Sequence, residues 1–206
     1  MKLTLILLGA LAVWSLFGRV LIALLFGKSI GAQALANQPD RIRLDRGGDD
    51  TWKNPSRAAT VVQPLLARGF EDAGVYTVAE MPGLVVQLLV HSADRLLGCV
   101  YEHPRAGTWF EFACRYADGT SATFTTSRPT GLDPRPGHFV VHAPNASPLA
   151  LWNRARAERP SGMPNDVSTG TVVRLFEDAY AEAIAWRKAN GISTGEVTKV
   201  ALRKAA

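Results

Sequence analysis

The pattern of hydrophobic and polar residues begins with a long apolar segment at the N-terminus. From Leu3 to Phe26 the segment contains fifteen Leu, Ile, Val or Phe residues and a single charged residue, Arg19. A helix needs about 20 apolar residues to cross the hydrocarbon core of a bilayer. The summed insertion free energy of these fifteen apolar residues outweighs the cost of about 3 kcal/mol for an arginine near the centre of the span. We therefore interpret residues 1–28 as a single-pass transmembrane anchor that contacts membrane lipid.

The alternative is a cleaved secretory signal peptide. Lys2 provides a basic start, and Ala34-Leu35-Ala36 has the small-x-small form of a cleavage site. A signal core usually spans about 7–15 residues, whereas this apolar segment resumes after Arg19. The length favours a retained anchor and a membrane localisation. Basic residues that follow the segment (Lys28, Arg41, Arg43 and Arg46) favour a cytoplasmic domain but leave its side open.

Residues 29–57 mix charges with Gly and Pro and lack a sustained apolar period, so the pattern predicts a linker. Residues 58–206 then form the predicted folded domain. About 150 residues are enough for one domain with a real core.

Within that domain, short runs rich in β-branched and aromatic residues alternate with turn signals. They predict strands at Val75–Ala79, Leu84–Ser92, Leu96–His103, Trp109–Ala117, Ser121–Ser127 and His138–Ala143. The connections between the first five are too short for a parallel crossover, so we expect an antiparallel meander. Alternating residues such as Phe112 and Glu111 indicate a sheet that helices cover on one face.

The turn between the third and fourth predicted strands suggests a register. Centring that turn on Ala106-Gly107 places Cys99 opposite Cys114, within the distance range of a disulfide. The alternative is that the two cysteines are small buried residues that pack together as a reduced pair. A cytoplasmic location would keep them reduced, and export would allow oxidation.

Four segments have helical patterns. Thr60 to Arg68 predicts a short helix whose length Pro64 limits, and Ser147 with Pro148 predicts a helix start. The other two predicted helices are a long one from about Thr169 to Asn190 and a last one opened by the capping box Ser193-x-x-Glu196. The predicted fold class is α+β, an antiparallel meander of about five or six strands packed with C-terminal helices.

The chain carries 23 basic and 18 acidic residues, for a net charge of +5. Five basic residues lie near the C-terminus against one acid, Glu196, so this end would be attracted to an anionic leaflet if it lay beside one. The alternative interpretation is a solvated helix end. Nucleic-acid binding is not indicated, because no DNA- or RNA-binding signature accompanies the charge.

Candidate chemistry is sparse. His138-x-x-x-His142 has the spacing of a helical metal pair, but on a strand residues four apart lie about 13 Å from each other, too far to share one ion. The sequence contains no GxSxG, Walker A, GxGxxG, HExxH or EF-hand motif. We therefore assign no catalytic, metal-binding or cofactor-binding residue and expect no cofactor.

These observations favour a membrane-anchored binding or interaction module without catalysis, which would bind a protein partner. The alternative is a small membrane-associated or exported enzyme that uses His138, His142 or His103 together with scattered acids. A pocket in which several titratable side chains converge would favour the enzyme, and a groove without them would favour binding.

Overall fold

The computed structural model describes Ser29 and residues 31–203, and the predicted anchor from Leu3 to Phe26 lies outside this part of the chain. The seven strands are β1 (Leu44–Arg46), β2 (Glu71–Val78), β3 (Val85–His91), β4 (Leu96–His103), β5 (Gly107–Arg115), β6 (Ser121–Thr125) and β7 (His138–His142). The main helices are α1 (Pro55–Leu66), α2 (Pro148–Glu158), α3 (Val172–Asn190) and α4 (Thr194–Arg203). Among the described residues, no helix has the length and apolar content needed to cross a membrane.

The strands form one mixed sheet in the order in which they occur along the chain. β1 to β6 are antiparallel neighbours, as the short connections predict, whereas β7 is parallel to β6. The expectation of a wholly antiparallel sheet of five or six strands is therefore wrong. The segment between β6 and β7 supplies the dozen or so residues that a parallel connection needs. The additional strand, β1, lies within the range predicted to be a linker.

Apolar side chains cover both faces of the sheet. On one face, called here the α1 face, buried residues of α1 and α2 pack against Phe112, Phe124 and their neighbours. On the other, called the α3 face, Val172 and Phe176 of α3 pack against Tyr101 and residues of β2 and β3. The expectation of helices on one face is therefore wrong. The strands in the middle of the sheet are apolar on both sides, as a sheet buried between two layers requires.

The helix starts follow the local signals in the sequence. Ser147 accepts a hydrogen bond from the Ala150 N–H at the start of α2, with Pro148 as its first residue. In α1, Asn54 is the cap, so the helix begins at Pro55 and not at the predicted Thr60, and Pro64 lies inside it two residues before its end. The carboxylate of Glu102 on β4 accepts the backbone N–H groups of Lys53 and Asn54, which ties the start of α1 to the sheet.

The predicted register of β4 and β5 is wrong by three residues. Cys99 lies opposite Glu111, and Tyr101 lies opposite Trp109. The turn consists of residues 104–106, and Gly107, the first residue of β5, follows it with a φ of +76°, a left-handed conformation that favours glycine. A shift by an odd number of residues also reverses the face of the partner residue. Cys99 consequently packs on the α3 face and Cys114 on the α1 face, and both are free and buried.

The chain divides into two compact units. The larger comprises Asp40–Arg128 and Pro134–Ala183 and contains the whole sheet, α1, α2 and the first part of α3. The smaller includes Pro129–Asp133 and the described chain from Ile184 onward, with the end of α3 and all of α4.

Candidate functional site

The larger unit contains a cleft between the α3 face of the sheet and the loop that precedes α3. Its volume is about 360 Å³, within the range typical of small-molecule sites. Leu97 and Ala113 on neighbouring strands contribute apolar wall, as do Val167 of the loop and Leu175 and Ala179 of α3. The alternation of β4 and β5 turns Leu97 and Ala113 toward the same face. We call this space the arginine cleft, after the two arginines described next.

Arg95 lines one side of the arginine cleft. It occupies the turn between β3 and β4 and has a φ of +53°. Its guanidinium donates to the Pro164 carbonyl oxygen at 2.8 Å and pairs with the Asp166 carboxylate at 2.9 Å. The side chain of Asp166 is 87% exposed. An exposed pair of this kind contributes about 0–1 kcal/mol, so an anionic ligand could replace Asp166 at small cost.

Arg115, the last residue of β5, is the second arginine in the lining. Its two terminal nitrogens donate to the two carboxylate oxygens of Glu182 at 3.3 and 2.7 Å. Arg135 approaches the same carboxylate at 3.6 Å. The hydrogen bond from Arg115 lowers the pKa of Glu182, burial opposes this, and the charges of Arg115 and Arg135 lower it further. Glu182 therefore stays ionised and orients Arg115 at the cleft.

The strand register explains why the two arginines line the same cleft. Leu97 pairs with Ala113, so Arg95, two residues before Leu97, and Arg115, two residues after Ala113, lie toward the same end of the strand pair. Both line the cleft together with Leu97 and Ala113. The site combines an apolar wall with two guanidinium groups at one end, which suits a ligand with an apolar body and an acidic group.

The most strongly perturbed titratable groups lie elsewhere. Tyr101 donates a hydrogen bond to Glu111 at 2.7 Å, with Cys99 opposite Glu111 on the neighbouring strand. Burial raises the pKa of all three groups, and for Glu111 it outweighs the hydrogen bonds from Tyr101 and Thr125. Glu111 and Tyr101 are absent from the lining of the arginine cleft. Each has a partner, so their arrangement is that of a satisfied polar cluster in the sheet.

The histidines proposed for the enzyme alternative do not converge. Arg135 donates to Nε2 of His138, so Nδ1 carries the proton and donates to the Ser121 hydroxyl. In this arrangement His138 cannot accept a proton from Ser121, so the pair is not a nucleophile with its base. His142 donates from Nδ1 to the Ser127 carbonyl oxygen. Burial lowers the pKa of His138, and the charge of Arg135 lowers it further.

The other two histidines also have local partners. His103 accepts the Arg105 N–H, and His91 accepts the Asp94 N–H while its other nitrogen contacts the Arg68 carbonyl oxygen. Within the described part of the chain, no three His, Cys, Asp or Glu side chains group as a metal site would require.

Basic residues of the C-terminal region have partners within the smaller unit. Arg187 pairs with Glu196 at 2.8 Å, and Lys199 pairs with Asp133 at 2.7 Å. Lys188 donates to the Gln38 carbonyl oxygen. Lipid contact by this end of the chain remains a prediction.

The arginine cleft is not predicted from the sequence. The alternation that separates Phe112 from Glu111 also places Arg115 on the face opposite Phe112, but Arg95 carries no local signal beyond its position in a turn. Only a correct register could have brought the two together. The polar face of β5, which includes Arg115, was the one feature of the sequence that indicated part of this site.

Comparisons of the chain with protein-family models, with curated proteins and with solved structures find no match.

Proposed function

We propose that this chain is a membrane-anchored binding module whose ligand combines an apolar body with an acidic group. The apolar segment from Leu3 to Phe26 supports the anchor. The observation that carries the binding function is the arginine cleft, where Arg95 and Arg115 lie at one end of an apolar wall.

The charges support an acidic ligand over a basic one. Two guanidinium groups (Arg95 and Arg115) line the cleft with one carboxylate, the largely exposed Asp166, while Glu182 pairs with Arg115 and Arg135. A ligand carboxylate or phosphate could take the place of Asp166 and gain a charge-assisted hydrogen bond. A cationic ligand would have to compete with the arginines for the same acids.

The polar lining supports binding over catalysis. Arg95 and Arg115 are permanently charged donors and cannot transfer protons near neutral pH. Burial raises the pKa of Tyr116, another lining residue, to about 12, and its hydroxyl donates to the Pro160 carbonyl oxygen. A general base would need a pKa near the working pH.

The test measures binding of 4-phenylbutyrate to the full chain in nanodiscs by ligand-observed NMR, with the neutral 4-phenylbutanol as the comparison ligand. We expect saturable binding with a preference of about tenfold for the acid, which equals about 1.4 kcal/mol. Arg95→Gln should reduce that preference.

Two phenylalanine variants on α3 test the location. Ala179→Phe fills the arginine cleft and should abolish binding. Ala183→Phe adds the same side chain one turn later at an exposed position and should leave binding intact. Equal binding by the two variants, or no preference for the acid, would contradict the proposal.

A further inference from the structure

β7 forms one edge of the sheet and has unusual surface chemistry for an edge strand. Phe139 and Val140 in its middle are 43% and 38% exposed. An exposed edge strand with apolar side chains is a template for pairing with another chain.

The opposite edge shows how this sheet protects a strand. β1 has three residues, and Asp45 within it pairs with Arg43 just before it. Short length and charge are the usual protections of an edge. β7 has five residues, no acid, no lysine and no proline. Within the described part of the chain no strand pairs with the outer edge of β7, so this edge is open to pairing.

The backbone of β7 presents its hydrogen-bonding groups in a defined order. The Ser121 N–H donates to the Gly137 carbonyl oxygen, and the Ala143 N–H donates to the Thr125 carbonyl oxygen. The backbone N–H and C=O groups of odd-numbered residues in this segment therefore point toward β6. The backbone groups of His138, Val140 and His142 consequently point away from β6. The His138 N–H is already used by the Arg135 carbonyl oxygen.

We propose that β7 pairs antiparallel with β7 of a second copy of this chain, about a two-fold axis through Val140. In that register each Val140 N–H donates to the Val140 carbonyl oxygen of the other copy. Each His142 N–H donates to the opposite His138 carbonyl oxygen, the His138 group that the Arg135 contact leaves unused. Two-fold symmetry makes such an interface self-complementary.

The two-fold register sets the side-chain pairs of the seam, and it places His138 of each copy opposite His142 of the other. Val140 meets Val140 on one face, and Phe139 meets Val141 on the other, a pairing of aromatic and β-branched residues that stabilises sheets. The seam contains no acid and no permanently charged base, so no like charges face each other within it. A second copy brings the same five residues, without acid or lysine, so the pairing buries Phe139 and Val140 and adds no contact between like permanent charges, which favours a second copy as the occupant.

The test is disulfide cross-linking of the purified full chain under mild oxidation. In the proposed register the two Val140 α-carbons lie about 5.5 Å apart, within the disulfide range, so Val140→Cys should give a covalent dimer. Phe139→Cys is the matched control, because residue 139 and its copy are diagonal neighbours about 7–8 Å apart. Residue 139 has an exposure similar to that of residue 140, and the Phe139→Cys variant should cross-link at least several times more slowly than Val140→Cys.

Equal cross-linking of the two variants would indicate random collision and overturn the proposal, as would the absence of a V140C dimer. Hydrogen exchange of the unaltered chain provides a second measurement that needs no variant. Exchange of the Val140 and His142 amides should slow severalfold as the protein concentration rises. Exchange rates independent of concentration would overturn the pairing.

Discussion

Glu111 projects from the middle of β5 onto the α3 face, where Tyr101 donates a hydrogen bond to it. Burial raises the pKa of its carboxyl, and the hydrogen bonds that lower the pKa do not compensate. A group whose pKa is raised by folding contributes stability below its unfolded pKa and loses that contribution as the pH rises through its folded value. Glu111 therefore weakens the fold at neutral pH relative to acid.

Replacing Glu111 by Gln should stabilise the protein relative to the unaltered chain, and the difference should grow as the pH rises above about 4.5, the ordinary value for this carboxyl. The amide keeps an oxygen that can accept the Tyr101 hydroxyl but never ionises. We expect the melting temperature of E111Q to exceed that of the unaltered chain by a few degrees at pH 8 and to approach it at pH 4. A difference that shrinks with rising pH would contradict this account.

Glu102→Gln provides the matched control on the adjacent strand. Glu102 accepts the N–H groups of Lys53 and Asn54, and its amide would retain a single accepting oxygen. E102Q should therefore lose about 1–3 kcal/mol at pH 7, the cost of losing a hydrogen bond to a charged group. Calorimetry of the two variants should show melting temperatures that change in opposite directions.

At the scale of elements, the turn between β4 and β5 decides which side chains become neighbours. A three-residue turn followed by Gly107 sets Cys99 opposite Glu111. The same register brings Arg95 and Arg115 to one end of the arginine cleft. A turn shorter by one residue would have turned every side chain of one strand to the other face.

A new cysteine at position 111 should form a disulfide with Cys99 if this register is correct. Opposed α-carbons in an antiparallel pair lie about 4.5–5.5 Å apart, within the range for a disulfide. Ala113→Cys lies opposite Leu97, so it is a diagonal neighbour of Cys99 about 7–8 Å away. In a Cys114→Ala background, peptide mapping should find the disulfide in E111C and not in A113C.

At the scale of the whole molecule, the smaller unit depends on Glu196. The Ser193 N–H and the Asp133 N–H each donate to its carboxylate at 2.8 Å, and Arg187 pairs with it. The interaction with Ser193 is reciprocal, because the Glu196 N–H donates to the Ser193 hydroxyl at 3.2 Å, as the capping box predicts. Burial opposes ionisation, but these hydrogen bonds lower the pKa of Glu196 to about 2.

Because the folded pKa of Glu196 lies below its usual value of 4.5, it contributes stability above pH 4.5 that is lost between about pH 4.5 and pH 2. Acidification across this range should release α4, and Glu196→Gln should release it at pH 7. Exchange of the α4 amides, followed by NMR, provides the measurement. Full protection of these amides in E196Q at pH 7 would contradict the assignment.

The part of the fold that sequence could predict rests on neighbours along the chain. The Ser147 cap, the Ser193 capping box and the bounds of β4 depend on hydrogen bonds and side-chain alternation within a few residues. The side-chain alternation of β5 likewise predicts that Phe112 and Glu111 point to opposite faces of the sheet, and they do.

The sequence by itself determined which segments become most of the helices and strands, because those choices follow from interactions within a few residues, whereas β1 forms only by pairing with β2. Tertiary structure decided the register of Cys99, the parallel placement of β7, the cover on both faces of the sheet and the placement of Arg95 and Arg115 in one cleft. Each of these depends on how separate elements pair or pack, and a local pattern is compatible with several such pairings. The choice among them depends on which arrangement buries both apolar faces and satisfies the backbone at once.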